Sequence, residues 1–122
     1  MHVYIYSADL WCKKCGNGIR EWLTRRGLAV AKPNDEYSYD SDDFPKGPYP
    51  DGGGLADYPR HCAAGRDCID AITLPNGEKI GVWLENDLTA DGVKHVRESA
   101  GHAPDNEMYR LWAEEYGLEL SY

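Results

Sequence analysis

The chain has 122 residues, 42% of them hydrophobic, with 13 glycines and 7 prolines, which suits one loop-rich domain over residues 1–122 with a small core. Its formal net charge is −8 and it has no long apolar run, which argues against a membrane-spanning helix and against a generally basic, phosphate-binding protein. Met1 to Asp9 show neither the basic start nor the long apolar stretch of a secretory signal. The expectation is an intracellular protein whose thiols act as ligands or catalysts.

Charge is unevenly spread. Residues 1–32 carry six Lys/Arg against two acids, residues 33–60 seven acids against two bases, and residues 61–122 twelve acids against five bases. The basic cluster of Lys13, Lys14, Arg20, Arg25 and Arg26 reads as a solvated helix face.

In chain order, Val3 and Ile5 alternate with Tyr4 and Tyr6, which predicts a strand over 2–7. A turn follows at Trp11-Cys12-Lys13-Lys14-Cys15-Gly16. Residues 17–27 then place Ile19, Trp22 and Leu23 on one face of an amphipathic helix, with Gly27 as its C-terminal stop. Residues 33–60 break all periodicity and form a long loop. Interleaved Tyr37, Tyr39, Phe44 and Tyr49 predict that this loop is at least partly ordered. Residues 71–74 and 79–84 flank Pro75-Asn76-Gly77-Glu78, a hairpin signal. Thr89 caps a helix with Val93, Val96 and Ala100 on its apolar stripe, stopped by Gly101. Pro104 and Asp105 open a last helix carrying Met108, Leu111, Trp112 and Tyr116, closed by Gly117. The order predicts an α+β fold: a small, mainly antiparallel three-stranded sheet with about three helices.

The four cysteines carry the chemistry. Cys12 and Cys15 form a CxxCG turn, and 46 residues further on Cys62 and Cys68 stand in His61-Cys62-x5-Cys68. Four thiolates suit one structural Zn²⁺, and a CxxC turn delivers two of them from one tight bend. The x5 spacing is wider than an ordinary knuckle, but Gly65 lets that loop curl inward. The domain is then zinc-stapled and knuckle- or ribbon-like. Lys13, Lys14, Arg60 and Arg66 would offset the charge of the centre, and His61 is an alternative fourth ligand.

Two other readings stay open. The first 28 residues, a strand, then Trp11-Cys12-x2-Cys15, then a helix, resemble the start of thioredoxin- and glutaredoxin-like folds. That resemblance implies a thiol–disulfide oxidoreductase with Cys12 as nucleophile and Cys15 as resolving thiol. The remaining chain departs from the pattern: no second buried strand follows the helix, and no proline before a strand faces the CxxC. The basic N-terminal helix could instead serve a nucleic-acid-binding zinc ribbon, although the overall acidity opposes it. His2, His61, His95 and His102 are scattered, and Asp40, Asp42 and Asp43 do not match a calcium-loop spacing.

The acidic loop is the remaining handle. Tyr37, Tyr39, Asp40, Asp42, Asp43 and Phe44 combine carboxylates with aromatic anchors, as a face for a basic protein partner would. The CxxCG turn, residues 39–49, His61-Cys62-x5-Cys68 and residues 81–89 together resemble a family of small bacteriophage and prophage proteins. The resemblance spans nearly the whole chain and carries no activity. It implies a small intracellular viral protein with a zinc site, in the cytoplasm of a bacterial host cell; the four-cysteine pattern itself favours a non-enzymatic, zinc-stabilised interaction module. Its partner would be a host protein with a basic surface, such as a component of a defence system, with no membrane role.

Overall fold

The computed structural model describes residues 1–103 and 105–118. β1 (Val3–Tyr6) forms where β-branched and aromatic residues alternate. The chain then reverses through Ser7 and Ala8, at φ of 51° and 60°, and returns as β2 (Asp9–Cys12). Trp11 and Cys12, expected in a turn, lie in this strand. Hairpin turns with two positive φ angles are usually written Asn-Gly, and Ser-Ala carries no such signal. The turn is held by Ser7 N–H donating to Ser41 O (3.2 Å) and Leu10 N–H donating to Asp9 Oδ1 (2.9 Å).

α1 (Lys13–Arg25) begins directly after β2, with Cys12 as its N-cap, four residues earlier than the periodicity suggested. It stops as predicted at Gly27 (φ 74°), where Gly27 N–H reaches Thr24 O (3.0 Å) and Leu28 N–H reaches Leu23 O (2.9 Å). Leu23 is buried, but Trp22, placed on the same apolar face by the sequence, is 49% exposed. Gly16 lies flat against the Tyr4 ring, where any Cβ would overlap Tyr4 Cγ and Cδ2.

Within the acidic stretch, β3 (Lys46–Tyr49) pairs antiparallel with the free edge of β1, giving the order β2-β1-β3. The three-stranded antiparallel sheet is therefore present, but its second and third strands are not the ones expected near residues 71–84. Arg20 pins this segment. Its Nε and Nη2 both donate to Pro45 O (3.0 and 2.7 Å), and Nη2 also reaches Gly47 O (3.3 Å). Its guanidinium sits 4.6 Å from the Tyr4 ring centroid and 5.2 Å from that of Phe44. The loop is ordered because a helix side chain supplies the partners its backbone lacks.

β4 (Leu55–Ala56) pairs parallel with a later strand, β7 (Asp87–Leu88). β5 (Ile72–Thr73) and β6 (Lys79–Ile80) make the expected hairpin across Asn76-Gly77, shorter than predicted. Residues 82–84 leave it to pair with residues 60–62: Cys62 N–H donates to Val82 O and Leu84 N–H to Arg60 O, both at 2.9 Å. α2 (Ala90–His102) starts at the predicted cap, where Thr89 Oγ1 accepts from Gly92 N–H (3.0 Å), and runs through Gly101. α3 (Glu107–Glu115) is capped by Asn106, so Asp105 precedes the helix; Pro104, expected to open it, lies outside the described residues.

Two apolar clusters result. One joins Val3, Leu10, Leu84 and the four cysteines; the other joins Val96, Trp112 and Ala113 of the α2–α3 pair, with Leu88, Met108, Tyr109 and Leu118 against it. No helix among the described residues is long and apolar enough to cross a membrane.

Two helix glycines give a matched test. Gly16→Ala should destabilise the fold by about 1–3 kcal/mol through the clash with Tyr4. Gly18→Ala, where a Cβ meets nothing within 4 Å, should stabilise it by about 0.5–1 kcal/mol; denaturant midpoints measure both. Arg20→Lys keeps the charge but loses the planar fork, so amide hydrogen exchange should rise across residues 44–49 and not in α2.

Candidate metal centre

The four cysteines converge. Their Sγ atoms all lie within 4.8 Å of one another, and each residue is buried, at 3% exposure for Cys12 and Cys62, 6% for Cys68 and 8% for Cys15. Cys68 Sγ is 3.8 Å from Cys12 Sγ and 3.7 Å from Cys15 Sγ. A tetrahedral zinc with sulfur at about 2.3 Å spaces its ligands by about 3.8 Å, so this spacing fits one such ion and far exceeds a disulfide bond of about 2.05 Å. All four cysteines are free.

Four backbone segments bring the sulfurs together. Cys12 ends β2 and caps α1, and Cys15 lies in the first turn of that helix, so strand, cap and helix fix this pair. Cys62 is held by its pairing with Val82. Between Cys62 and Cys68 the chain makes a tight 3₁₀ turn over Gly65–Asp67, with Gly65 at φ 59°, Gly65 N–H donating to Cys62 O (3.0 Å) and Cys68 N–H to Gly65 O (3.0 Å). The glycine thus absorbs the extra residues of the x5 spacing, as the sequence suggested.

Backbone N–H groups converge on the sulfurs. Cys12 N–H donates to Cys62 Sγ (3.3 Å), Cys15 N–H to Cys12 Sγ (3.5 Å) and Ile69 N–H to Cys15 Sγ (3.4 Å). Such donors stabilise thiolate charge, the form a metal requires. Burial nevertheless pushes the Cys12 thiol well up, and pushes that of Cys62 up to about 11. Burial also raises Cys68, but backbone N–H donors from Val82 and Asp70, together with hydrogen bonds from the Cys15 and Cys12 thiols, lower it and its net direction is down. Without a cation, burial thus keeps Cys12 and Cys62 protonated at neutral pH. A bound metal would supply the positive charge that lets them ionise.

His61 stands outside the sulfur cluster. Its Nδ1 donates to Gly81 O (2.7 Å) and its Nε2 accepts from Trp112 Nε1–H (2.8 Å), so both ring nitrogens are engaged away from the sulfurs. Lys14, expected to offset the charge of the centre, is ion-paired with Asp70 at 3.0 Å. The partner-face residues separate. Tyr37 is 93% exposed, and Asp40, Asp42 and Asp43 are exposed. Tyr39 is half-buried, its hydroxyl donating to Pro33 O (2.8 Å). Phe44 is 3% exposed under Arg20 and corrects the expectation that it lies on that face. Sequence reasoning also missed Asn86, a buried side chain whose Oδ1 accepts from Arg60 N–H (2.9 Å) and whose Nδ2 donates to Tyr58 O (3.2 Å). Nothing local to Leu84-Glu85-Asn86 marked it.

No protein-family model, curated protein or solved structure matches this chain. Its own geometry defines a small α+β protein with a four-cysteine cluster that could hold one metal ion.

Titrating zinc into metal-free protein at pH 7 should release at least two protons per ion, one each from Cys12 and Cys62, read by calorimetry in buffers of different ionisation heat. Cys68→Ser should cost more affinity than the about 10–100-fold typical of losing an outer-sphere partner.

Proposed function

We propose that this chain is a non-enzymatic, zinc-stabilised binding module. The observation that carries the reading is the closed, buried set of four sulfurs. Structural zinc sites take four protein ligands, whereas catalytic zinc keeps an open position for water or substrate. In this role Cys12, Cys15, Cys62 and Cys68 would hold the ion, which supplies a cross-link and no reaction step.

The oxidoreductase alternative needs an accessible first cysteine with a lowered thiol pKa. Cys12 is 3% exposed with its thiol pushed up, and its strand belongs to an antiparallel hairpin. Those features support the structural role over the redox one.

Binding would fall to the surface the clamp holds in place. Tyr37 with Asp40, Asp42 and Asp43 presents an aromatic side chain among exposed carboxylates, which suits a protein with a basic surface. That partner would be a host protein met in the cytoplasm of a bacterial cell.

Metal analysis with thiol titration tests the module. The expected outcome is about one zinc per chain, with thiols that react only after chelation. A metal-free protein whose Cys12 reacts rapidly at neutral pH would overturn it.

A further inference from the structure

The four sulfur ligands are not equally shielded. Within the cluster the ligand group of Cys15 alone is part-buried, and the residue's 8% exposure is the highest of the four. Cys15 also lines an open groove of about 330 Å³ between α1 and residues 64–69, beside Gly18, Trp22, Ala64 and Ile69. Cys12 and Cys62, each 3% exposed, are covered by strand pairing to Val3 and by the hydrogen bond to Val82. A small molecule arriving from solvent therefore meets the Cys15 sulfur first.

Oxidation of thiolates follows exposure, and it ends in a disulfide when a second thiol stands beside the first. Cys68 Sγ is that neighbour, 3.7 Å from Cys15 Sγ. Closing that gap to the about 2.05 Å of a disulfide needs a movement of about 1.7 Å. The Cys68 side can yield. It follows the 3₁₀ turn Gly65–Asp67, where Arg66 and Asp67 are exposed, as is Ile69 just beyond, and Gly65 has open space around it. Cys12 lies about as near to Cys68, at 3.8 Å, but it is fixed as the last residue of β2 and the N-cap of α1.

We propose that Cys15 is an oxidant-sensitive thiolate, and that hydrogen peroxide joins it to Cys68 in a disulfide that dismantles the metal site. The proposal rests on the zinc-stabilised reading above. Cys15 Sγ attacks one peroxide oxygen: an S–O bond forms, the O–O bond breaks and hydroxide leaves, giving the sulfenic acid. Cys68 Sγ then attacks the Cys15 sulfur: the S–S bond forms and the S–O bond breaks, releasing a second hydroxide. Each hydroxide takes a proton from solvent. Two thiolates and one peroxide thus give one disulfide and two waters, the sulfurs oxidised and the peroxide oxygens reduced. Half of the ligand set is then spent, and Cys12 with Cys62 cannot enclose a tetrahedral ion. The new bond ties the first turn of α1 to a residue 53 positions on, so the chain loses its metal and keeps a cross-link over the same long loop.

Treating the zinc-loaded full chain with hydrogen peroxide tests this, with zinc release read by a chelating dye and disulfide pairing by peptide mass mapping. Hydrogen peroxide is far smaller than the reagents of a thiol titration, so it reaches a sulfur that stays closed to them. The expected result is one zinc and one Cys15–Cys68 bond per peroxide consumed, little change in circular dichroism, and recovery on adding dithiothreitol and zinc. Gly18→Leu tests the route of access. A Cβ at Gly18 meets nothing within 4 Å, and a long helical side chain leans back over the residue three positions earlier, which here is Cys15. The leucine should slow zinc release severalfold with zinc content and affinity unchanged. Zinc retained under excess peroxide, a Cys12–Cys15 or Cys12–Cys62 bond in place of Cys15–Cys68, or release from Gly18→Leu at the wild-type rate overturns the proposal. Zinc content measured before peroxide is added separates the two readings: a chain that never binds zinc sinks the proposed function as well, whereas failure after loading sinks this proposal alone.

Discussion

The fold depends on four thiols meeting where its two halves cross. Of the seven buried residues in the first core cluster, four are cysteines, and only Val3, Leu10 and Leu84 supply aliphatic mass. A domain this small buries too little apolar surface to spare that volume. Four uncharged thiols would fill it loosely; one ion bound to four thiolates would turn it into a covalently braced centre. The brace joins the β2–α1 junction to a segment 46 residues away, closing a long loop whose chain entropy otherwise opposes folding.

Order spreads outward from that point through polar contacts. His61 adjoins Cys62, and its ring bridges Gly81 O and the indole of Trp112, linking the clamp to the α2–α3 cluster. Trp83, which pairs with His61 across an isolated bridge, donates through its indole to Tyr116 Oη (2.9 Å). Tyr116 in turn donates to the backbone O and Oδ1 of Asn86 (2.9 and 3.0 Å). The Asn86 side chain is saturated by its neighbours, which is the condition for burying an amide at little cost. The C-terminal helices thus rest on the metal-proximal strand pair by hydrogen bonds as well as by apolar packing.

Features written in a few adjacent residues were legible in the sequence. Gly65 in the second cysteine loop, the Asn76-Gly77 hairpin, the Thr89 cap and the Gly27 stop each depend on local backbone chemistry, and each is present. Features decided across the chain were not. Ser7-Ala8 turns through positive φ because Ser41 receives it, β3 forms because Arg20 holds Pro45 and Gly47, and Phe44 is covered by the same guanidinium. His61 looked like a ligand beside Cys62 because only the fold reveals Trp112 and Gly81 as its partners. Trp22 looked like core because periodicity reports which residues share a face and not which neighbours cover it.

The central claim is that the four sulfurs form a closed structural metal site. X-ray absorption at the zinc edge on protein purified without added chelator tests it most directly. The account predicts four sulfur neighbours at about 2.3 Å and no lighter ligand. A nitrogen or oxygen ligand in the first sphere, or fewer than four sulfurs, would contradict it.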